Sequence, residues 1–125
     1  MKKESITKKK IKKQALMLFN ENDTFSISTN HIAIAAKISS GNFYYHYKNK
    51  EDIILDIYQD MIEKFEELNS FEKILNSENP LEELSNLYDL YLDIFWEYRF
   101  IMRDSSVLIS TLPKLKEIFI QRQNI

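Results

Sequence analysis

Residues 38–50 read Ile38-Ser39-Ser40-Gly41-Asn42-Phe43-Tyr44-Tyr45-His46-Tyr47-Lys48-Asn49-Lys50. Little more than three helical turns hold a serine of helix-capping type, the only glycine of the chain, three tyrosines, a histidine and two lysines, with no carboxylate. A short helix so rich in donors is suited to lie against a polyanion, and nucleic acid is the first candidate.

The rest of the chain supplies a helical frame. Gly41 stands alone and Pro80 and Pro113 are the only prolines, too few turn-formers for a β-rich fold of 125 residues. Apolar residues recur at helical spacing almost throughout, so the chain reads as all-α. Its length suffices for one domain, or two small ones sharing a core. Without cysteine there is no disulfide framework and no thiolate metal site, which suits a reducing cytoplasm. No apolar run reaches membrane-spanning length, and the lysine-rich start lacks the apolar segment of a signal peptide. The expectation is a soluble cytoplasmic protein without membrane association.

The net charge of −2 conceals an asymmetry. Residues 1–50 carry ten lysines against Glu4, Glu21 and Asp23, a balance of +7. Residues 51–125 carry 7 of the 17 basic residues and 16 of the 19 acidic ones, a balance of −9. A basic first part joined to an acidic second part points to a polyanion partner for the first alone. Lysines 8, 9, 10, 12 and 13 would equally serve a merely solvated helix face.

The spacing predicts a first helix from about Ser5 to Asn22, with Ile11, Ala15, Leu18 and Phe19 inward, ended by Asn20-Glu21-Asn22-Asp23. Ser28 caps a second, short helix over Thr29 to about Ala36, packed through Ile32, Ala35 and Ala36. Lys37-Ile38 turns the chain, and Ser39 caps a third helix to about Tyr47, with Phe43 and Tyr47 inward at i and i+4. Two short helices and a turn packed on a third form a helix-turn-helix, residues 28–47. A fourth helix starts at Lys50-Glu51 and carries Ile54, Ile57, Met61, Phe65 and Leu68. Polar residues interrupt from Asn69 to Asn79, where Phe71, Ile74 and Leu75 still seek cover. Asn79-Pro80-Leu81-Glu82 starts a fifth helix by cap, first-turn proline and glutamate. It carries Leu84, Tyr88, Tyr91, Phe95 and Tyr98, of which Tyr88, Tyr91 and Phe95 read as ordinary core. A break near Asp104-Ser105-Ser106, an apolar segment from Val107 to Ile109 and a last helix from Thr111-Leu112-Pro113 with Leu115, Ile118 and Phe119 complete the chain.

Leu18-Phe19, Ile32-Ala33, Ala36, Ile38-Ser39, Gly41-Asn42-Phe43-Tyr44-Tyr45-His46-Tyr47 and Lys50-Glu51 keep order and spacing in a pattern that resembles the TetR/AcrR family of bacterial transcription regulators. Asp23 and Lys37 stand where that family usually has glycine, so left-handed backbone at a cost of ~1 kcal/mol is expected at both. The resemblance implies a three-helix DNA-binding domain over residues 1–50, with residues 39–47 as recognition helix. Residues 51–125 would then be part of a helical bundle for effector binding and dimerisation. It further implies a repressor, responsive to an unidentified small molecule, that binds a palindromic operator in double-stranded DNA as a homodimer.

In that frame the third helix enters the major groove, and the resemblance gives base edges to Ser40, Gly41 and Tyr44, with Asn30 reaching a neighbouring base. Asn42, Tyr45, His46 and Lys50 would hold phosphates. Ser28, Thr29 and Ser39 offer hydroxyls and helix-start amides to phosphate oxygens. The first arginine is Arg99, so direct guanine readout should be modest. His31 reads as solvent-facing, and His31 and His46 have no partner ligands for a metal. In relatives the second half encloses a ligand pocket whose occupant moves the fourth helix. Trp96 and Tyr98, off the strict stripe, and Arg99 and Arg103 are the ligand-binding candidates; Arg99, Arg103 and Asp104 would alternatively pair with one another.

Family members usually continue into two long dimerising helices, whereas this sequence ends at Ile125, which leaves a fragment, a natural truncation or another mode of pairing open. The fifth and last helices should then bear an uncovered apolar face. The alternative function is a truncated regulator that heterodimerises without operator binding of its own. With no cysteine, no glycine-rich phosphate loop and no paired nucleophile, neither catalytic residues nor a cofactor is expected.

Overall fold

The structure, a computed structural model, describes residues 4–68 and 71–123, except the side chains of Phe71 and Gln123. The described residues form helices and no strand: α1 Ile6–Glu21, α2 Thr29–Ala35, α3 Ser40–His46, α4 Lys50–Glu67, α5 Phe71–Leu75, α6 Pro80–Glu97, α7 Arg99–Arg103, α8 Ser105–Thr111 and α9 Pro113–Gln123.

Side-chain caps start the first four helices. Ser5, Ser28, Ser39 and Asn49 each accept a backbone N–H from three residues on, satisfying a donor with no helical partner. Ser28 is answered by His31, whose Nδ1 accepts the Ser28 N–H at 3.0 Å and closes a reciprocal box. At the start of α6, Pro80 takes the first turn as expected, but Asn79 gives no side-chain cap bond.

The turn between α2 and α3 places Lys37 at φ 58°, the left-handed conformation expected there. Asp23 departs from expectation. Its backbone is extended, at φ −63° and ψ 126°, and its carboxylate accepts the Phe25 N–H at 3.2 Å to start a short 3-10 turn, Thr24–Ser26. No left-handed residue is needed because the turn itself redirects the chain.

One continuous core runs through α1 to α4 and α6 to α9. Ile11, Ala15 and Phe19 of α1 meet Ile32, Ala33 and Ala36 from α2 and its end, Phe43 of α3, and Ile53, Ile54 and Ile57 of α4. Ala33, not Ala35, is buried in α2. Phe19 packs on Phe100 of α7 with ring centroids 5.1 Å apart, carrying the core into the second half.

The fifth-helix stripe is the main correction. In α6 only Ile94 is buried; Leu84, Tyr88 and Phe95 are exposed, as are Leu81, Leu92 and Trp96. α6 ends at Glu97, one residue before the buried Tyr98, and α7 and α8 then flank the single junction residue Asp104. Periodicity gives no sign of the short α5, whose Ile74 is buried and whose Leu75 is exposed.

Candidate nucleic-acid interface

Phe43 and Tyr47 anchor α3 from within, as their spacing predicts, and leave Ser40, Gly41, Asn42, Tyr44 and Tyr45 outward. Tyr45 is 84% exposed and stands edge-on to the half-buried His46. The Tyr44 hydroxyl lies 2.9 Å from Thr29 Oγ1, and the Ser40 hydroxyl donates to Asn30 Oδ1 at 3.4 Å. Two cross-links therefore join α2 to α3 on the outward face. A methyl group added at Gly41 would meet nothing nearer than Ser39 Oγ at 3.9 Å, so the fold does not require glycine there. Its service is an open surface.

The other expected phosphate groups divide. Ser28 and Ser39 spend an oxygen lone pair as helix caps, while Asn42 is exposed and unengaged by its side chain among the described contacts. Lys50 turns inward: its ammonium donates to the Thr24 carbonyl and lies 5.7 Å from the ring centroids of both Phe19 and Phe25. Burial lowers its pKa, against the opposing pull of Asp23. Lys50 thus fastens α4 to the turn after α1, and the exposed cations flanking α3 are Lys37 and Lys48. The ammonium expected to hold phosphate is thus engaged within the fold.

Behind the face, Tyr47 donates to Asp56 Oδ2 of α4 at 2.6 Å. Asp56, Asp60 and Glu4 converge on Lys12 of α1, with oxygens 3.5, 2.7 and 2.5 Å from its Nζ. These three carboxylates are spaced as metal ligands would be, and the ammonium takes the cation's place among them. Burial opposes the Lys12 charge, but bonds to Asp60 and Glu4 and the charge of Asp56 outweigh it and hold its pKa above lysine's ordinary value. Burial, with Asp56, pushes the Tyr47 phenol far up.

A second joint lies at the end of α1. Arg103 donates to the carbonyls of Phe19, Asn20 and Asn22 at 2.8, 3.1 and 2.7 Å, and pairs with Asp104 at 2.8 Å. Asp104 in turn accepts from Thr24 at 2.7 Å. Asn20 bonds the Glu97 carbonyl and the Phe100 N–H. The planar guanidinium thereby closes helix-end carbonyls that lack partners. Its bond to Asp104 holds that carboxyl below the usual carboxylate range.

An apolar cavity of about 260 Å³ lies between α4, α7, α8 and α9, walled by Tyr58, Met61, Phe65, Met102, Leu108 and Phe119 among others. None of the four ligand-binding candidates lines it. Trp96 is exposed beneath the Arg99 guanidinium, 4.2 Å from its ring, Tyr98 is buried beside Lys64, and Arg103 is spent on α1. Sequence reasoning missed this wall because its residues come from four helices at unrelated spacings.

A compact helix-turn-helix carrying an exposed polar and aromatic face, seated on a helical bundle with an apolar cavity, is an architecture of the helix-turn-helix class. A family profile described as "Bacterial regulatory proteins, tetR family" matches residues 11–57, and one described as "Bacterial transcriptional repressor" matches residues 57–124. A solved TetR-family transcriptional regulator from Marinobacter aquaeolei VT8 superposes with a TM-score of 0.84 at 35% identity, covering 96% of this chain and 58% of that one. The chain thus spans somewhat over half the length of that relative. No curated protein matches at a significant level. The chain belongs to the TetR family of transcriptional regulators.

Proposed function

We propose that the chain is a DNA-binding transcriptional repressor whose residues 1–50 read one half of a palindromic operator through the major groove, and whose residues 51–125 respond to a small effector and take part in pairing two chains. The observation that carries the reading is the outward face of α3. Ser40, Gly41, Asn42, Tyr44 and Tyr45 face solvent while Phe43 and Tyr47 fix the helix, and α2 adds Thr29 and Asn30 through two hydrogen bonds. A major groove about 12 Å wide admits one such helix.

The cavity supports an apolar effector, since Ser105 is one of few polar groups on its wall. A molecule entering it would press on Met61 and Phe65 of α4, and α4 holds Tyr47 through Asp56. That linkage would move the reading helix. The exposed apolar residues of α6 supply a surface for pairing, with a homologous or a different regulator.

The test is fluorescence anisotropy with labelled duplex across a salt series. Log affinity should fall linearly with log salt, by about 0.9 per phosphate neutralised, and Lys48→Ala should flatten the slope by about one. Absence of duplex binding at low salt would leave the heterodimerising module as the better reading.

A further inference from the structure

Among the described residues, no lysine or arginine side chain stands on the outward face of α3 between its ends. No arginine precedes Arg99, and both Arg99 and Arg103 are engaged away from α3, on Trp96 and on α1. Lys50 is turned to the Thr24 carbonyl. Lys37 lies in the turn before α3 and Lys48 beyond its C-cap, so each stands at an end of the helix and offers a point charge suited to phosphate. The face between them presents Asn30, Ser40, Gly41 and Tyr44.

Guanine is most often read by two donors of one arginine or lysine on O6 and N7, and this face holds neither. A carboxamide matches adenine instead, donating to N7 and accepting from the N6 amino group. Ser40 donates to Asn30 Oδ1, so the carboxamide is steadied by α3, with both Nδ2 protons and one Oδ1 lone pair left for a base. Tyr44 is held equally well. Its hydroxyl is tied to Thr29, its ring stands edge-on to Phe43 at 5.4 Å and 88°, and it is 52% exposed. With the hydroxyl turned to α2 and half of the residue exposed, ring carbon is open to a ligand three positions along α3 from the open surface at Gly41. The one hydrocarbon group in the major groove is the C5 methyl of thymine.

Building on the DNA-reading function proposed above, we infer that the base pairs read by this face are A·T pairs, an adenine bound by Asn30 and thymine methyls received by Tyr44 and Gly41. The specificity of the half-site is therefore set by a carboxamide and an aromatic ring, with lysines confined to the backbone.

Selection of duplexes from a random pool by the chain tests this, followed by deoxyuridine in place of thymine in the selected duplex. The information-bearing positions should be A·T, and each lost methyl should weaken binding roughly fourfold, the worth of one buried carbon. Tyr44→Ala should abolish the uracil penalty. Asn30→Ala should flatten the preference at one adenine by roughly 5- to 150-fold without lowering the melting temperature, since Asn30 is exposed. Convergence on G·C pairs, a guanine preference that vanishes in Lys37→Ala or Lys48→Ala, or indifference to uracil would each overturn the inference. Failure to bind or enrich any duplex would instead defeat the DNA-reading function itself, and the inference with it.

Discussion

The phenol of Tyr47 donates to Asp56 Oδ2 at 2.6 Å, and that bond fastens the residue closing α3 to the helix that borders the cavity. Asp56 also faces Lys12 at 3.5 Å, so α1, α3 and α4 meet at one charged node. Tyr47→Phe keeps the buried ring and removes only the bond to a charged acceptor. The expected cost is about 1–2 kcal/mol in urea unfolding, with helical content unchanged.

Arg103 closes three carbonyls at the end of α1 from 81 to 84 residues away in sequence. Arg103→Ala should destabilise by about 1–3 kcal/mol. Arg103→Lys should recover little of this, because an ammonium cannot reproduce the planar fork. Thermal melts of both variants check the expectation; full recovery by lysine would reduce the joint to a simple charge.

Gly41 and Lys37 give opposite tests of one idea. Gly41 has ordinary helical backbone and open space at its Cβ position, so Gly41→Ala should stabilise the fold by about 0.5–1 kcal/mol while weakening duplex binding. Lys37 has φ 58°, so Lys37→Gly should be neutral to stabilising and Lys37→Val destabilising by about 1–2 kcal/mol. Calorimetry on the three variants separates local backbone demand from surface function.

Alkali should loosen the node between α1, α3 and α4. Burial and Asp56 raise the Tyr47 pKa, and the carboxylates raise that of Lys12, relative to unfolded values near about 10. Groups with raised folded pKa stabilise fully below the unfolded value, and that stability is lost as pH climbs towards the folded one. Lys50, lowered by burial, acts in the opposite sense. Melting temperature should therefore decline above about pH 10, and less so in Tyr47→Phe. A flat profile in wild type would show the node to be solvated.

Local signals explain what the sequence disclosed. Ser5, Ser28 and Ser39 cap where their chemistry predicts, and the i, i+4 pair Phe43 and Tyr47 is buried as periodicity requires. The reciprocal bond of His31 was missed although its spacing from Ser28 is that of a capping box, because imidazole is an unusual partner there. Arg103 and Lys50 resisted reading for a different reason. Their partners, Phe19, Asn20, Asn22 and Thr24, are distant in sequence, and a charged residue gives no periodic signal of turning inward. On α6, apolar spacing marks an amphipathic face without saying what covers it, so Tyr88 and Phe95 read as core in the sequence yet are exposed in the fold.

The central claim is that the outward face of α3 reads DNA, and the most direct measurement is the Kd of the chain and of Tyr44→Ala for a selected duplex and a shuffled one at the same salt. Tyr44 is half exposed and, among the described residues, its side chain hydrogen-bonds Thr29 alone, so its loss should leave the melting temperature within a few degrees. The expected result is at least roughly tenfold weaker binding to the selected duplex, with the affinity for shuffled duplex nearly unchanged. Equal Kd values for wild type and Tyr44→Ala on the selected duplex would contradict it.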